Sequence, residues 1–207
     1  MPVRKKKTSP RTRRSRGASP STTDAGAKLA LAAIAAAMKR LDAKWYLFGA
    51  QAVALHGAQR TTQDIDVTVL VDRPTAAVIA ALEKQGIVPR FSDREFVAQT
   101  RVIPCDHPST GWKIDVVLGG PGLEGLFAAE AEARTVGGIT VPLVRIEHLV
   151  AMKVFAGRPQ DLGDVTRLLS LKRPVDLDAV RQLLAALEEG LSESGLLDRL
   201  ERLTRPG

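Results

Sequence analysis

The sequence predicts an α/β (α+β) fold with a helical C-terminal part. Three observations carry this reading. Runs rich in β-branched residues alternate with helical patterns from residue 45 to residue 143. Two of those runs, 100–105 and 112–118, are joined by the turn-rich Asp106-His-Pro-Ser-Thr-Gly111 and read as an antiparallel hairpin. From Arg145 onward only helical patterns follow. A chain of 207 residues suffices for one domain with a full core, or one domain plus a small appendage. The expected organisation is a disordered basic tail over 1–22, a core over 23–144, and a helical part over 145–207 packed on that core.

The first helix is expected over 25–41, capped by Thr22, Thr23 or Asp24, with Leu29, Leu31, Ile34, Met38 and Leu41 near helical spacing. Trp45-Tyr-Leu-Phe48 is a short strand that Gly49 breaks, and 50–56 is a short helix ended by Gly57. Asp64-Ile-Asp-Val-Thr-Val-Leu-Val71 alternates in the manner of a strand. Pro74 suits the first turn of a helix reaching about Lys84. A strand over 87–92, a short helix over 93–99 and the hairpin follow. A helix is expected over 123–133, then two very short strands within 134–143 turning at Gly137-Gly138. Ile146, Leu149, Val150 and Val154 give the helix 145–156 one apolar face. Gly157-Arg-Pro159 interrupts it, and helices over 160–171, 176–189 and 195–203 complete the chain.

Charge is unevenly placed. Eight of the Lys and Arg residues fall in the first twenty positions, with no acid among them, whereas the whole chain carries +7 and the remainder therefore −1. Such a Lys/Arg/Ser/Pro segment has too little apolar surface to fold. It reads equally well as a loose nucleic-acid contact through phosphates or as a solvated leader. No apolar run approaches the ~20 residues that span a bilayer, and no secretory signal opens the chain, so a cytoplasmic protein without membrane contact is expected. The lone Cys105 excludes an intramolecular disulfide and a multi-cysteine zinc site, and reads as a small buried residue.

The chemistry concentrates in the acids. Asp64 and Asp66, at i and i+2 of a strand, project to one face with Cα atoms about 6.6 Å apart. Converging carboxylates call for a shared proton, a basic neighbour or a bound cation. Asp115 lies in the otherwise apolar strand Trp112-Lys-Ile-Asp-Val-Val-Leu118, where burying a carboxylate is costly. If that strand neighbours 64–71, the three acids form a cluster suited to hard divalent cations, Mg²⁺ above all. The strand–turn–helix at Gly49 offers free N–H groups to a phosphate.

The pattern Gly49-Ala50, Asp64-Ile-Asp66 and Asp115 resembles the DNA polymerase β-like nucleotidyltransferase superfamily. The wording Gly49-Ala-x-Ala-x-x-x-His56-Gly57-x-x-Arg60-x-Thr62-x-Asp64-Ile-Asp66 is similar to the bacterial branch that includes AbiEii-type toxins of toxin–antitoxin pairs. So is Lys153-x-x-Ala-Gly157-Arg158-x-x-Asp161-x-x-Asp164, and the likeness covers about residues 45 to 170. It implies a nucleotidyltransferase-like mixed sheet flanked by helices, an NTP substrate and two Mg²⁺ ions held by Asp64, Asp66 and Asp115. It implies catalysis by the same three acids, Asp115 binding the second metal or taking the acceptor's proton. Gly49, Ala50, Arg60, Lys153 and Arg158 are the nucleotide-binding candidates it implies. A tRNA end, a protein hydroxyl and a small molecule stand open as acceptors, and a cognate antitoxin as partner. One departure is Ala50, where the family often carries a Ser whose hydroxyl can hold a phosphate.

Bland readings stand beside these. Arg60 suits a loop salt bridge as well as a phosphate. Lys153 reads as a solvent-reaching helix lysine. Asp161 and Asp164 share a helical face at i, i+3, where they would orient Lys153 or Arg158 or cap the helix. His56 reads as capping or packing, and His107 and His148 as structural. The alternative function is a non-catalytic module of the same fold, an antitoxin or regulator that binds nucleic acid or protein.

Overall fold

The computed structural model describes residues 22–90, 94–192 and 194–205. The basic N-terminal stretch read as a disordered tail lies outside these, except for Thr22, which opens the first helix.

Two long hydrophobic patterns place the layers. In helix α1 (Thr22–Leu41), Ala27, Ala30, Leu31, Ile34, Ala37, Met38 and Leu41 are buried at helical spacing. In strand β2 (Asp64–Leu70), Ile65, Val67 and Val69 are buried at alternate positions, leaving Asp64, Asp66 and Thr68 on the opposite face. The apolar face of the sheet is covered by α1 and by α3 (Thr75–Glu83).

The other strands are β1 (Lys44–Phe48), β3 (Val88–Pro89), β4 (Val102–His107), β5 (Trp112–Leu118), β6 (Glu132–Val136) and β7 (Ile139–Leu143). They form one seven-stranded mixed sheet in the order β3-β4-β5-β2-β1-β7-β6. β2 pairs antiparallel with β1 and parallel with β5, and β4 and β5 make the expected antiparallel hairpin. Short helices α2 (Gly49–Leu55), α4 (Arg94–Thr100) and α5 (Leu123–Ala129) connect the strands. Phe127 of α5 meets Tyr46 of β1 edge-on at 6.3 Å, so α5 lies over the acid-bearing face.

The C-terminal part comprises α6 (Ile146–Ala156), α7 (Pro159–Leu169), α8 (Leu177–Leu191) and α9 (Leu196–Thr204), and α6 packs on the other three. Its ends follow local rules. Gly157 closes α6 in the left-handed conformation at φ 65°, donating its N–H to Lys153 O at 3.0 Å. Pro159 opens α7, and the Asp176 side chain caps α8 by accepting from Asp178 and Ala179 N–H.

Two expectations need correcting. Of the strand expected over 87–92, residues 91–92 lie outside the described residues, and within them only Val88–Pro89 is strand; Arg90 still donates its N–H to Pro104 O at 2.8 Å, but Pro104 has no N–H to return. The helix expected to reach 133 stops at Ala129. Glu132–Val136 pairs with Ile139–Leu143 instead, so tertiary strand pairing overrides the helical preference of Glu and Ala there. Cys105 is fully buried, and burial pushes its thiol up to about 12. Among the described residues no helix is long and apolar enough to cross a membrane.

Candidate functional site

Strand register assembles the acids. Asp66 pairs across the sheet with Phe48 on one side and with Asp115 on the other. Paired residues share a face, so Asp115 joins Asp66, and Asp64 follows two residues away. All three line one cleft of about 590 Å³. At its end Gly49 turns the chain from β1 into α2 with φ +67°. A Cβ there would lie 1.8 Å from Asp66 Oδ2, so both the conformation and the closeness of the carboxylate require glycine. The next N–H, that of Ala50, donates to the Asp66 carboxylate.

Burial, followed by the charges of Asp115 and Asp64, raises the Asp66 carboxyl to about 6; the charge of Lys153 and the Ala50 hydrogen bond oppose the rise only in part. The native state therefore binds a proton that the unfolded chain releases near the ordinary value of 3.8. Asp66 should thus cost stability increasingly as pH rises from about 4 to about 6, reaching up to about 3 kcal/mol above that window. Other carboxylates titrate in the same range. The check is therefore the difference between wild type and Asp66→Asn in metal-free denaturant unfolding, which should widen in favour of Asn across that window. A constant difference would show that Asp66 titrates normally.

Asp115 has a partner that carries no signal in the sequence. Arg90, just beyond β3, donates from Nη2 to Asp115 Oδ1, and its Nε lies 3.9 Å from Asp106 Oδ1. An isolated arginine after a proline in a strand-like run has nothing to distinguish it. Among the described residues no group of three or more His, Cys, Asp or Glu is gathered as a ready-made metal cage.

The facing wall is basic and comes from the C-terminal helices. Lys153, expected to reach solvent, is instead buried at 7% exposure. Its Nζ donates to Asp161 Oδ1 at 2.9 Å and lies 2.8 Å from Asp164 Oδ2, too oblique there for a hydrogen bond. The reason is helical spacing: Asp161 and Asp164 face inward from α7 at 2% and 1% exposure, where buried carboxylates need cations beside them. Arg158 donates from Nε to Asp161 Oδ2 at 2.5 Å, while its side chain stays two-thirds exposed in the cleft. The Asp161 hydrogen bond, with a smaller contribution from Asp66, raises the Arg158 pKa, and Arg158 and Lys153 together hold the Asp161 carboxyl below its usual range against the cost of burial. Arg60 makes the salt bridge anticipated as its bland reading, but across to α7: its Nε is 3.2 Å from Asp164 Oδ1. Of the two roles open to Asp161 and Asp164, the structure shows charge pairing with Lys153 and Arg158.

Apolar side chains complete the lining, among them Phe48, Phe127, Met152 and Phe155. Only the three-dimensional fold brings these together, and the sequence offers no spacing that would have found them. The histidines lie elsewhere and pack as expected. His56 Nε2 bonds Val144 O at 2.8 Å, His107 Nδ1 bonds Thr110 Oγ1 at 2.8 Å, and His148 stacks on Phe127 at 4.4 Å.

A family model described as "Nucleotidyl transferase AbiEii toxin, Type IV TA system" matches residues 31–205. No curated protein matches the chain. Among solved structures, the solution structure of the antibiotic-resistance factor ANT(2'')-Ia is 15% identical, with a TM-score of 0.55 over 85% of this chain and 97% of that one. ANT(2'')-Ia in complex with adenylyl-2''-tobramycin is 16% identical, with a TM-score of 0.54 over 80% of this chain and 99% of that one. An antigenic nucleotidyltransferase-like protein from Paracoccidioides brasiliensis is 15% identical, with a TM-score of 0.52 over 85% and 93%. At such identities the likeness is one of fold: a nucleotidyltransferase-like mixed sheet with a helical C-terminal part.

Proposed function

The chain belongs to the AbiEii nucleotidyltransferase family, and on that premise we propose that it uses Mg²⁺ to transfer a nucleoside monophosphate from an NTP to an acceptor hydroxyl. The acceptor oxygen forms a bond to the α-phosphorus, the α–β phosphoanhydride bond breaks, and pyrophosphate leaves. The observation that carries this reading is the cleft with one acidic and one basic wall. Asp64, Asp66 and Asp115 stand on the sheet, while Lys153 and Arg158 come from the helices opposite.

The donor set fits a hard divalent cation. All three acids offer oxygen, and Asp66 is held at a raised pKa by burial and then by the negative charges of Asp115 and Asp64, which a cation would offset. Asp64 and Asp66 would hold it, with Asp115 as third ligand or as the group that takes the acceptor's proton. Bound Mg²⁺ would supply charge neutralisation on the phosphates and on the entering and leaving oxygens. The exposed Arg158 guanidinium would meet the NTP phosphates, and the buried charge of Lys153 would add to the field there. Gly49 lets the chain pass close to Asp66 without a side chain filling the cleft.

The family description also supports a role as the toxin of a type IV toxin–antitoxin pair, with a cognate antitoxin as partner. The acceptor is a tRNA end, a protein or a small molecule. One observation favours the second reading, a non-catalytic binding module. Ala50 has no hydroxyl to give a phosphate, and its N–H is already donated to Asp66. Incubating the protein with each α-labelled NTP, Mg²⁺, and tRNA or cell extract separates the two. Label should move to one macromolecular or small-molecule fraction, and should not move when Mg²⁺ is chelated. No labelled product with any NTP, under conditions where the protein is folded, would favour the binding module.

A further inference from the structure

Arg90 plays no part in the transfer as written, yet it holds one of the three acids. Its own N–H is donated to Pro104 O at 2.8 Å, which fixes the start of the side chain beside β4. Pro104 is in turn the register partner of Asp115. From there the guanidinium reaches the Asp115 carboxylate, with Asp106 as a more distant second acid. The Arg90 and Asp115 side chains are 27% and 40% exposed, so the pair sits at the wet rim of the cleft and is free to exchange partners. The guanidinium puts a positive charge directly beside this acid.

We propose that Arg90 is a positioning residue that acts as a resident counter-cation for Asp115, competing with the divalent cation for that carboxylate. The inference rests on the metal-dependent reading above. A cation approaching Asp64 and Asp66 gains the third carboxylate only when Arg90 releases it, and it meets the like charge of Arg90 on arrival. Arg90 thereby sets the cation concentration at which the site fills. Removing one positive charge this close should tighten cation binding about three- to tenfold.

The test is thermal unfolding of the full chain at increasing MgCl₂ and constant ionic strength, reading the Mg²⁺ concentration at half-maximal stabilisation. Arg90→Gln should lower that midpoint about three- to tenfold, and Arg90→Lys, which keeps the charge, should stay within about twofold of wild type. Asp106→Asn removes the acid that shares Arg90. It should raise the midpoint, and that rise should disappear in the Arg90→Gln background. A midpoint in Arg90→Gln equal to or above wild type overturns the proposal, as does a full Asp106→Asn effect without Arg90. If Arg90→Gln does not fold, Asp106→Asn decides alone, and an unraised midpoint counts against Arg90. A wild-type protein that Mg²⁺ does not stabilise defeats the metal-dependent reading itself and this inference with it, whereas an unmoved midpoint defeats only the role of Arg90.

Discussion

Asp64→Asn and Asp66→Asn should each reduce nucleotide transfer by about 10³-fold or more, the scale on which loss of preorganised charge stabilisation is felt. Asparagine nearly keeps the shape of aspartate and removes its charge, so folding should survive. Asp66→Asn should even be the more stable protein without metal, since it removes a carboxylate that burial and two like charges disfavour. Both substitutions should also remove Mg²⁺-linked thermal stabilisation. Asp115→Asn should abolish transfer, and should spare much of the NTP binding if the role of Asp115 is mainly toward the acceptor hydroxyl. Steady-state transfer of labelled nucleotide, run beside melting curves with and without Mg²⁺, separates these effects. A triple Asn variant transferring at the wild-type rate would end the catalytic reading.

Lys153→Ala should be among the most damaging substitutions in the chain, costing about 3–5 kcal/mol of stability. The lysine is buried with Asp161 and Asp164, and both acids are almost fully enclosed. Its loss takes the one buried cation from two carboxylates, leaving one with the largely exposed Arg158 and the other with Arg60 and Arg167. The melting temperature should fall by about 10 °C, given about 2–4 °C per kcal/mol in a domain of this size. Adding Asp164→Asn to Lys153→Ala should recover part of the loss, because one of the two buried negative charges disappears with it. A Lys153→Ala protein that melts at the wild-type temperature would mean that water reaches the cluster and the charges are not desolvated.

Periodicity made the acid wall legible before any coordinates. The i, i+2 spacing put Asp64 and Asp66 on one face, and the cost of a carboxylate in an apolar strand singled out Asp115. That β5 lies beside β2 was a condition in the sequence and a fact in the sheet. The basic wall was legible in identity but not in environment. The family resemblance named Lys153, and helical spacing put Asp161 and Asp164 on one face, while their mutual burial depends on how α6 and α7 pack, which no local pattern encodes. Arg90 was illegible because a single arginine carries no periodicity, and its contact spans 25 residues of sequence. Glu132 has a helical local pattern, and its strand exists only through pairing with β7, where it sits opposite Leu143.

The parallel register of β2 and β5 has a consequence for how the chain tolerates changes of length. Asp66 sits opposite Asp115, and the neighbours of Asp115 along β5, Ile114 and Val116, point to the other side of the sheet and are fully buried. One extra residue between Trp112 and Asp115 would bring an apolar side chain into the cleft and press an aspartate into the core. Insertion in the turn at 108–111 changes neither strand, since β4 ends at His107 and β5 begins at Trp112. Lengthening of this hairpin is therefore confined to its tip, and within β5 the acid can be carried only in steps of two.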